Sequence, residues 1–449
     1  MQPNILLIVN DSARVDRCSC YGYDRPTTPV LDEIAAEGVR FDRCYSESNW
    51  TVPVMFTLLS GLAPREHRGE DVRRLVDDMP TLPELLGEAG YTTYGGSANP
   101  FFGGKCQVKR GFDTFYRSTR SVRLTKPIVK YMQRFGWVDN GGRAVTSHFL
   151  DFLKQAKQPW FALLWYFDAH TPYAPREPFT GRFARDRISL IQRARLLKGL
   201  RKPPEMFATA TGAELEQIRD LYDASLAYED SLFGELRDGL KQVGQWDDTF
   251  VALTADHGEM LGEGRLGGHG RPVGMHEPLI NVPLVIRAPG VSAGVVSEAP
   301  VQMADISQAV VDIAGIGDRL PPTAAERVNV LDAAGGQGRA HVIAERDGFN
   351  ERSVKAFIKR NPSADLEPFL PHMAAIVKDG WKLVECGDGR QELYNVVDDP
   401  TEAVNALETN PERAEALAEI AADWRDRAMP HHSVHGLTGD DEAIVEKRL

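Results

Sequence analysis

The sequence predicts an α/β protein: a large mixed, mainly parallel sheet sandwiched by helices, with a small C-terminal antiparallel α+β subdomain. Three observations predict it. Short β-branched or aromatic runs alternate with helical periodicity through the first 335 residues, the mark of βαβ units and a mainly parallel sheet. Three of those runs end in acids or histidines, where open α/β sheets hold their ligands. A Gly-rich stretch over 333–338 then parts them from closely spaced strand-like runs.

In chain order, the expected strands of the large sheet are Ile5–Val9, Tyr91–Gly95, Trp160–Phe167, Thr249–Ala255 and Val282–Arg287. Leu31, Ile34 and Ala35, then Leu82, Leu85 and Leu86, mark short helices. Leu215, Ile218, Leu221, Tyr222, Leu226, Leu232, Leu236 and Leu240 recur at three- and four-residue spacings, which makes one long amphipathic helix. Beyond the linker, Met373–Val377, Trp381–Cys386 and Glu392–Val397 read as a small antiparallel sheet, covered by a helix over Glu412–Ala428. The expected division is a large domain over 1–335, a subdomain over 340–429 and a tail over 430–449.

The 449 residues are 42 % hydrophobic and 26 % charged, the mix of a soluble globular protein. Collagen-like, low-complexity and largely disordered classes are excluded. The longest apolar run, Trp160–Phe167, falls far short of the ~20 residues of a membrane span. The N-terminus lacks the basic start and long apolar core of a signal peptide. Five cysteines form no disulfide framework, so a cytoplasmic location is expected. The net charge of −12 argues against a nucleic-acid partner. Basic residues nevertheless cluster, nine Lys/Arg against Asp113 in 105–134 and eight against Asp186 in 182–202. Both segments are expected as basic inserts rimming a site for an anionic substrate. A homo-oligomer is left open.

The expected strand ends carry the chemistry. One is followed by Asn10-Asp11, a second by Asp168-Ala169-His170, a third by Asp256-His257-Gly258-Glu259. Asp11, Asp256 and His257 form a donor set for one divalent cation, and an imidazole nitrogen favours Zn or Mn over Ca or Mg. In Asn49-Trp50-Thr51-Val52-Pro53, Pro53 suits the first turn of a helix that ends at Gly61. Thr51 then sits at or near the N-cap, where free N–H groups and the helix dipole favour an anion. A hydroxyl held there beside a cation is placed to attack phosphorus or sulfur.

Taken together, Asn4 to Asp11, Thr28-Pro29-Val30-Leu31-Asp32, Leu58-Leu59-Ser60-Gly61, Asp168-Ala169-His170-Thr171-Pro172, Asp256-His257-Gly258-Glu259 and Lys378-Asp379-Gly380-Trp381-Lys382-Leu383 resemble the sulfatase branch of the alkaline phosphatase superfamily. The resemblance implies that superfamily's large α/β domain with a small C-terminal domain. It also exposes departures. Sulfatases make formylglycine from Cys or Ser in Cys-x-Pro-x-Arg, whereas Thr51, Pro53 and Met55 stand here, so no formylglycine is expected. Ser12 replaces the second acid of an Asp-Asp pair, Asn99 falls in the stretch where the family has Gly-Lys-x-His, and His269 takes the place of a sulfate-binding lysine. Relatives with an unmodified Thr, such as nucleotide phosphodiesterases and phosphoethanolamine transferases, are similar at Asp11, Thr51, Asp256, His257 and His269.

These readings lead to a metal-dependent hydrolase of phosphate mono- or diesters acting through a covalent intermediate on Thr51. The cation is expected on Asp11, Thr51, Asp256 and His257. His269 is expected to serve the leaving oxygen, and Asn99, His170 and His276 to bind the substrate, a small anionic ester. Sulfate ester hydrolysis and phosphotransfer on the same site are alternatives, and a non-catalytic binding protein of the same fold is one of another class.

Overall fold

The computed structural model describes residues 2–68, 75, 79–103, 106–118, 131–133, 135–185, 188–349, 351–361 and 366–428. Much of the expected basic insert over 105–134 and all of the tail over 430–449 therefore lie outside the described residues.

Eight strands build the large sheet: β1 (Asn4–Asn10), β2 (Val39–Phe41), β3 (Thr92–Ser97), β4 (Thr114–Arg117), β5 (Trp160–Tyr166), β6 (Thr249–Thr254), β7 (Leu284–Arg287) and β8 (Val295–Ser297). Their spatial order is β8-β2-β7-β6-β1-β5-β3-β4. β7 runs antiparallel to both its neighbours, and every other pairing is parallel. The apolar run Ile5–Val9 suits the central position of β1, buried on both faces. Its register against β5 and β6, Leu7 opposite Leu163 and Ala252, brings the carboxyl ends of three strands level.

Helices cover the sheet. α1 (Pro29–Ala36), α2 (Thr51–Ser60), α3 (Leu82–Glu88) and α4 (Gly142–Leu153) are followed by α5 (Leu190–Gly199), α6 (Pro203–Thr209), α7 (Gly212–Gln242) and α8 (Met303–Ile313). α7 starts on a capping box in which the Thr211 hydroxyl accepts from Glu214 N at 3.2 Å. α2 is buried along its whole length. The C-terminal sheet is an antiparallel meander of β9 (Val342–Arg346), β10 (Met373–Lys378), β11 (Trp381–Cys386) and β12 (Gln391–Asn395). α9 (Pro411–Arg427) closes one face with Ala414, Leu417 and Trp424.

A buried ionic cluster ties the C-terminal sheet to the segment over 275–277. Lys382 on β11 is fully buried, donates to Met275 O at 3.0 Å and Glu277 Oε2 at 3.1 Å, and pairs with Glu402. No described helix is long and apolar enough to cross a membrane.

Candidate active site

Four neighbouring parallel strands end together, and each delivers chemistry. Asp11 follows β1, Asp256 and His257 follow β6, Asn99 follows β3, and Asp168 to His170 follow β5. Asp11, Asp256 and His257 are buried, with one ligand atom of each within 4.8 Å of the others.

These donors fit a cation. His257 Nδ1 lies 2.8 Å from Gly258 O and donates there, so Nε2 presents its lone pair. That nitrogen faces Asp256 Oδ2 at 3.3 Å and Asp11 Oδ1 at 3.9 Å. Burial pushes the His257 pKa down to about 3, so a neutral ring faces two carboxylates. Burial, and after it Asp11, pushes Asp256 well above the usual carboxylate range. Asp256 Oδ2 has no hydrogen-bond partner among the described residues. Buried acceptors facing one another are costly, and a divalent cation is the partner that two carboxylates and an imidazole accept together.

The donors are braced. Asp11 accepts from the Ser12 hydroxyl at 3.1 Å, from Trp165 Nε1 at 3.2 Å and from the Asn99 amide. Asp256 Oδ1 accepts the backbone N–H groups of Ser12 at 3.2 Å and His257 at 2.9 Å. Ser12 reaches it from a left-handed backbone, φ 69°. At Gly258 a Cβ would stand 1.9 Å from Pro278 O, so glycine alone lets the chain turn past after His257.

Thr51 occupies the first helical position of α2. Trp50 holds the cap with extended backbone and no side-chain cap bond. The Thr51 hydroxyl lies 3.2 Å from His257 Nε2, turned into the acidic pocket, so capping does not account for a threonine here. His269 joins from the loop after β6. Its ring centroid lies 4.2 Å from that of His257 and 4.8 Å from that of His170. Its Nδ1 pairs with Glu259 Oε1 at 2.9 Å. Burial pushes Glu259 up, and burial with His170 pushes His269 down to about 3, so the fold disfavours the charged form of each partner.

The structure thus brings Asp11, Thr51, Asn99, His170, Asp256, His257 and His269 together. Asn99 faces Asp11 with its amide nitrogen, and its Oδ1 accepts from Phe101 N at 2.7 Å. His170 stacks on Phe167 at 4.1 Å and its Nδ1 meets Thr171 O at 2.6 Å, leaving Nε2 for a ligand. Asp168 takes the N–H groups of Asn140 at 2.7 Å and Gly142 at 2.9 Å, which starts α4. His276 stands apart from this group, its Nδ1 3.3 Å from Glu402 Oε2.

Two contributors escaped the sequence reading. Glu259 sits inside the Asp256-His257-Gly258-Glu259 run and had a motif to mark it. Asn49 had none: its side-chain amide donates to the carbonyls of Gly270, Val273 and Gly274 at 3.1, 3.3 and 2.9 Å. Gly270 N returns a bond to Asn49 O at 3.0 Å. The segment leading to Thr51 is thereby fastened to the loop that carries His269.

Comparison with known proteins agrees with this architecture. Among solved structures, the chain is similar to the phosphonate monoester hydrolase of Agrobacterium radiobacter, with a TM-score of 0.75, 22 % identity, and 94 % of this chain and 95 % of that one covered. It is also similar to a phosphonate monoester hydrolase from Silicibacter pomeroyi, with a TM-score of 0.71, 21 % identity and 94 % of each chain covered. Among curated sequences, a choline-sulfatase of Rhizobium meliloti is 24 % identical over 100 % of this chain and 90 % of its own length. An N-acetylgalactosamine-6-O-sulfatase of Bacteroides thetaiotaomicron is 22 % identical over 93 % of this chain and 92 % of its own. The sequence profile described as Sulfatase matches residues 3–316, and with strand-end donors on this fold the chain belongs to the sulfatase family and is a hydrolase.

Proposed function

We propose that the protein hydrolyses phosphate esters through Thr51. The observation that carries this reading is the Thr51 hydroxyl, 3.2 Å from His257 Nε2 at the N-terminus of α2. Asp11, Asp256 and His257 would hold a divalent cation, with Thr51 beside it. When bound, such a cation lowers the pKa of the hydroxyl and offsets charge on the transferring group.

The residues divide the work. Thr51 Oγ, its proton given up to solvent, bonds to phosphorus as the phosphorus–alcohol bond breaks, and the departing oxygen takes a proton from His269. His170 Nε2 and the first N–H groups of α2 meet the non-bridging oxygens. Water then attacks phosphorus in line and gives a proton back to His269, and the Thr51 oxygen leaves and takes its proton from solvent. Threonine favours phosphate over sulfate. A formylglycine hydrate releases sulfate by elimination, whereas a sulfated threonine has no such exit, and phosphothreonine yields to a second in-line attack. Sulfate ester hydrolysis stays as the second reading, because the curated relatives carry sulfatase names.

Paired aryl phosphate, bis-aryl phosphate and aryl sulfate substrates, presented to protein reconstituted with Zn or Mn, test the choice. Phosphoester turnover above sulfate turnover is expected. Cleavage of the sulfate alone overturns the proposal. Methanol added as acceptor, with product analysis, separates hydrolysis from transfer.

A further inference from the structure

Of the nine large apolar side chains exposed among the described residues, four fall in two short segments: Tyr131 and Trp137 in one, Leu190 and Ile191 at the start of α5 in the other. Single exposed apolar residues are ordinary, but a cluster marks a docking surface. The two segments lie side by side. Arg193 Nη1 pairs with Glu177 Oε1 at 2.8 Å, Glu177 N donates to Gly136 O at 3.2 Å, and a Cβ on Gly136 would stand 3.3 Å from Arg193 Nη1. Further along, Arg201 Nη2 reaches Gln133 Oε1 at 3.5 Å. Gln133 thus faces the end of α5 and Gly136 its middle, so the chain at Trp137 continues towards the first turn of α5, where Leu190 and Ile191 stand.

The two segments differ in chemistry and complement each other. Phe135 has its ring 4.8 Å from that of Tyr131 and 4.9 Å from that of Trp137. Even within this cluster Trp137 and Tyr131 stay 57 % and 52 % exposed. Trp and Tyr suit the boundary between lipid headgroups and acyl chains, because an apolar ring carries a polar tip. On α5, Leu196 and Leu197 are buried, while Ile191, Arg195 and Lys198 recur at i, i+4 and i+7 on the outer face and are exposed. Ile191 is 76 % exposed, and Arg195 keeps its side chain in solvent although it pairs with Glu214 at 3.0 Å.

An apolar tip followed by cations along one helix face is complementary to an anionic lipid surface. A second copy of this chain, docked through the same face, would set these cations against their own kind. We propose that this face docks the protein on an anionic lipid surface. Trp137, Tyr131 and Ile191 enter the headgroup region, and Arg195 and Lys198 meet the lipid phosphates. Thr171 Oγ1 donates to Leu200 O at 2.8 Å, so the far end of α5 stands beside the His170 loop and docking holds the candidate site near the lipid surface.

Flotation of the full chain with vesicles of phosphatidylcholine, alone or mixed with phosphatidylglycerol, tests this. Binding to the mixed vesicles should exceed binding to the neutral ones about tenfold and fall as salt is raised. Lys198→Ala should weaken it about fivefold, and Trp137→Ser combined with Ile191→Ser about tenfold, with Tm unchanged. Equal binding to the two vesicle types, no binding, or full binding by the double variant overturns the proposal. If the double variant unfolds, the loss in Lys198→Ala decides. Sedimentation equilibrium tests the other occupant: a dimer that the double variant dissociates, in a chain that ignores the vesicles, makes this face a contact between copies and overturns docking on lipid.

Discussion

A threonine at the first position of a buried helix is hard to explain by helix physics, because its hydroxyl caps nothing and no sheet packing asks for it. Its 3.2 Å approach to His257 Nε2 does explain it. Thr51→Ala is expected to cut kcat by about four orders of magnitude, with bound metal retained, because Asp11, Asp256 and His257 keep their atoms. Steady-state kinetics alongside metal analysis checks both halves, and a variant of near-normal activity removes Thr51 from the chemistry. Tautomer control belongs to the same scale. Gly258 O fixes the proton on His257 Nδ1, while His269 Nδ1 faces the Glu259 carboxyl at 2.9 Å, so two adjacent imidazoles are oriented by different partners at their second nitrogens.

Among the elements, the anchor of the His269 loop carries its own prediction. Asn49→Ala removes three hydrogen bonds to Gly270, Val273 and Gly274. A loosened loop misplaces His269 without disturbing the cation donors, so kcat should fall about tenfold or more while metal affinity stays put. Parallel losses of activity and metal would instead mean general disorder. This anchor also shows where sequence reading stops. β1, β5, β6 and α7 were legible because a buried central strand is a continuous apolar run and an amphipathic helix repeats at three and four residues. β2 was not: it has three residues with Arg40 in the middle. β9 hid behind Glu345 and Arg346, charged yet buried, because Arg65 and Trp424 take the first and backbone carbonyls the second. Asp11, Asp256 and His257 stood in motifs at strand ends. The Asn49 bond to Gly274 spans 225 residues, and no local pattern encodes such a contact.

At the scale of the molecule, one ionic cluster fastens the C-terminal sheet to the segment over 275–277 and should set the acid limit of stability. Burial opposes ionisation of Glu402, but Lys382 and His276 outweigh it and hold its pKa at about 2 against 4.5 in the unfolded chain. A pKa depressed by folding stabilises above the unfolded value, so this contribution is present above pH 4.5 and is lost as pH falls towards 2. At about 1.4 kcal/mol per pKa unit the loss is about 3 kcal/mol. Urea unfolding between pH 6 and 3 should therefore be less steeply pH-dependent in Glu402→Gln, and identical slopes would sink the assignment. Stripping divalent cations with a chelator should abolish turnover and lower Tm, since a ligand at 100 times its Kd contributes about 2.7 kcal/mol; Zn or Mn should restore both. The contact from Ser12 to Asp256 closes a stretch of 244 residues. A chain emerging from the ribosome thus carries Asp11 long before its partners exist, and the three donors meet only once β6 has inserted beside β1. A chain truncated before Asp256 is therefore expected to bind no cation at this site.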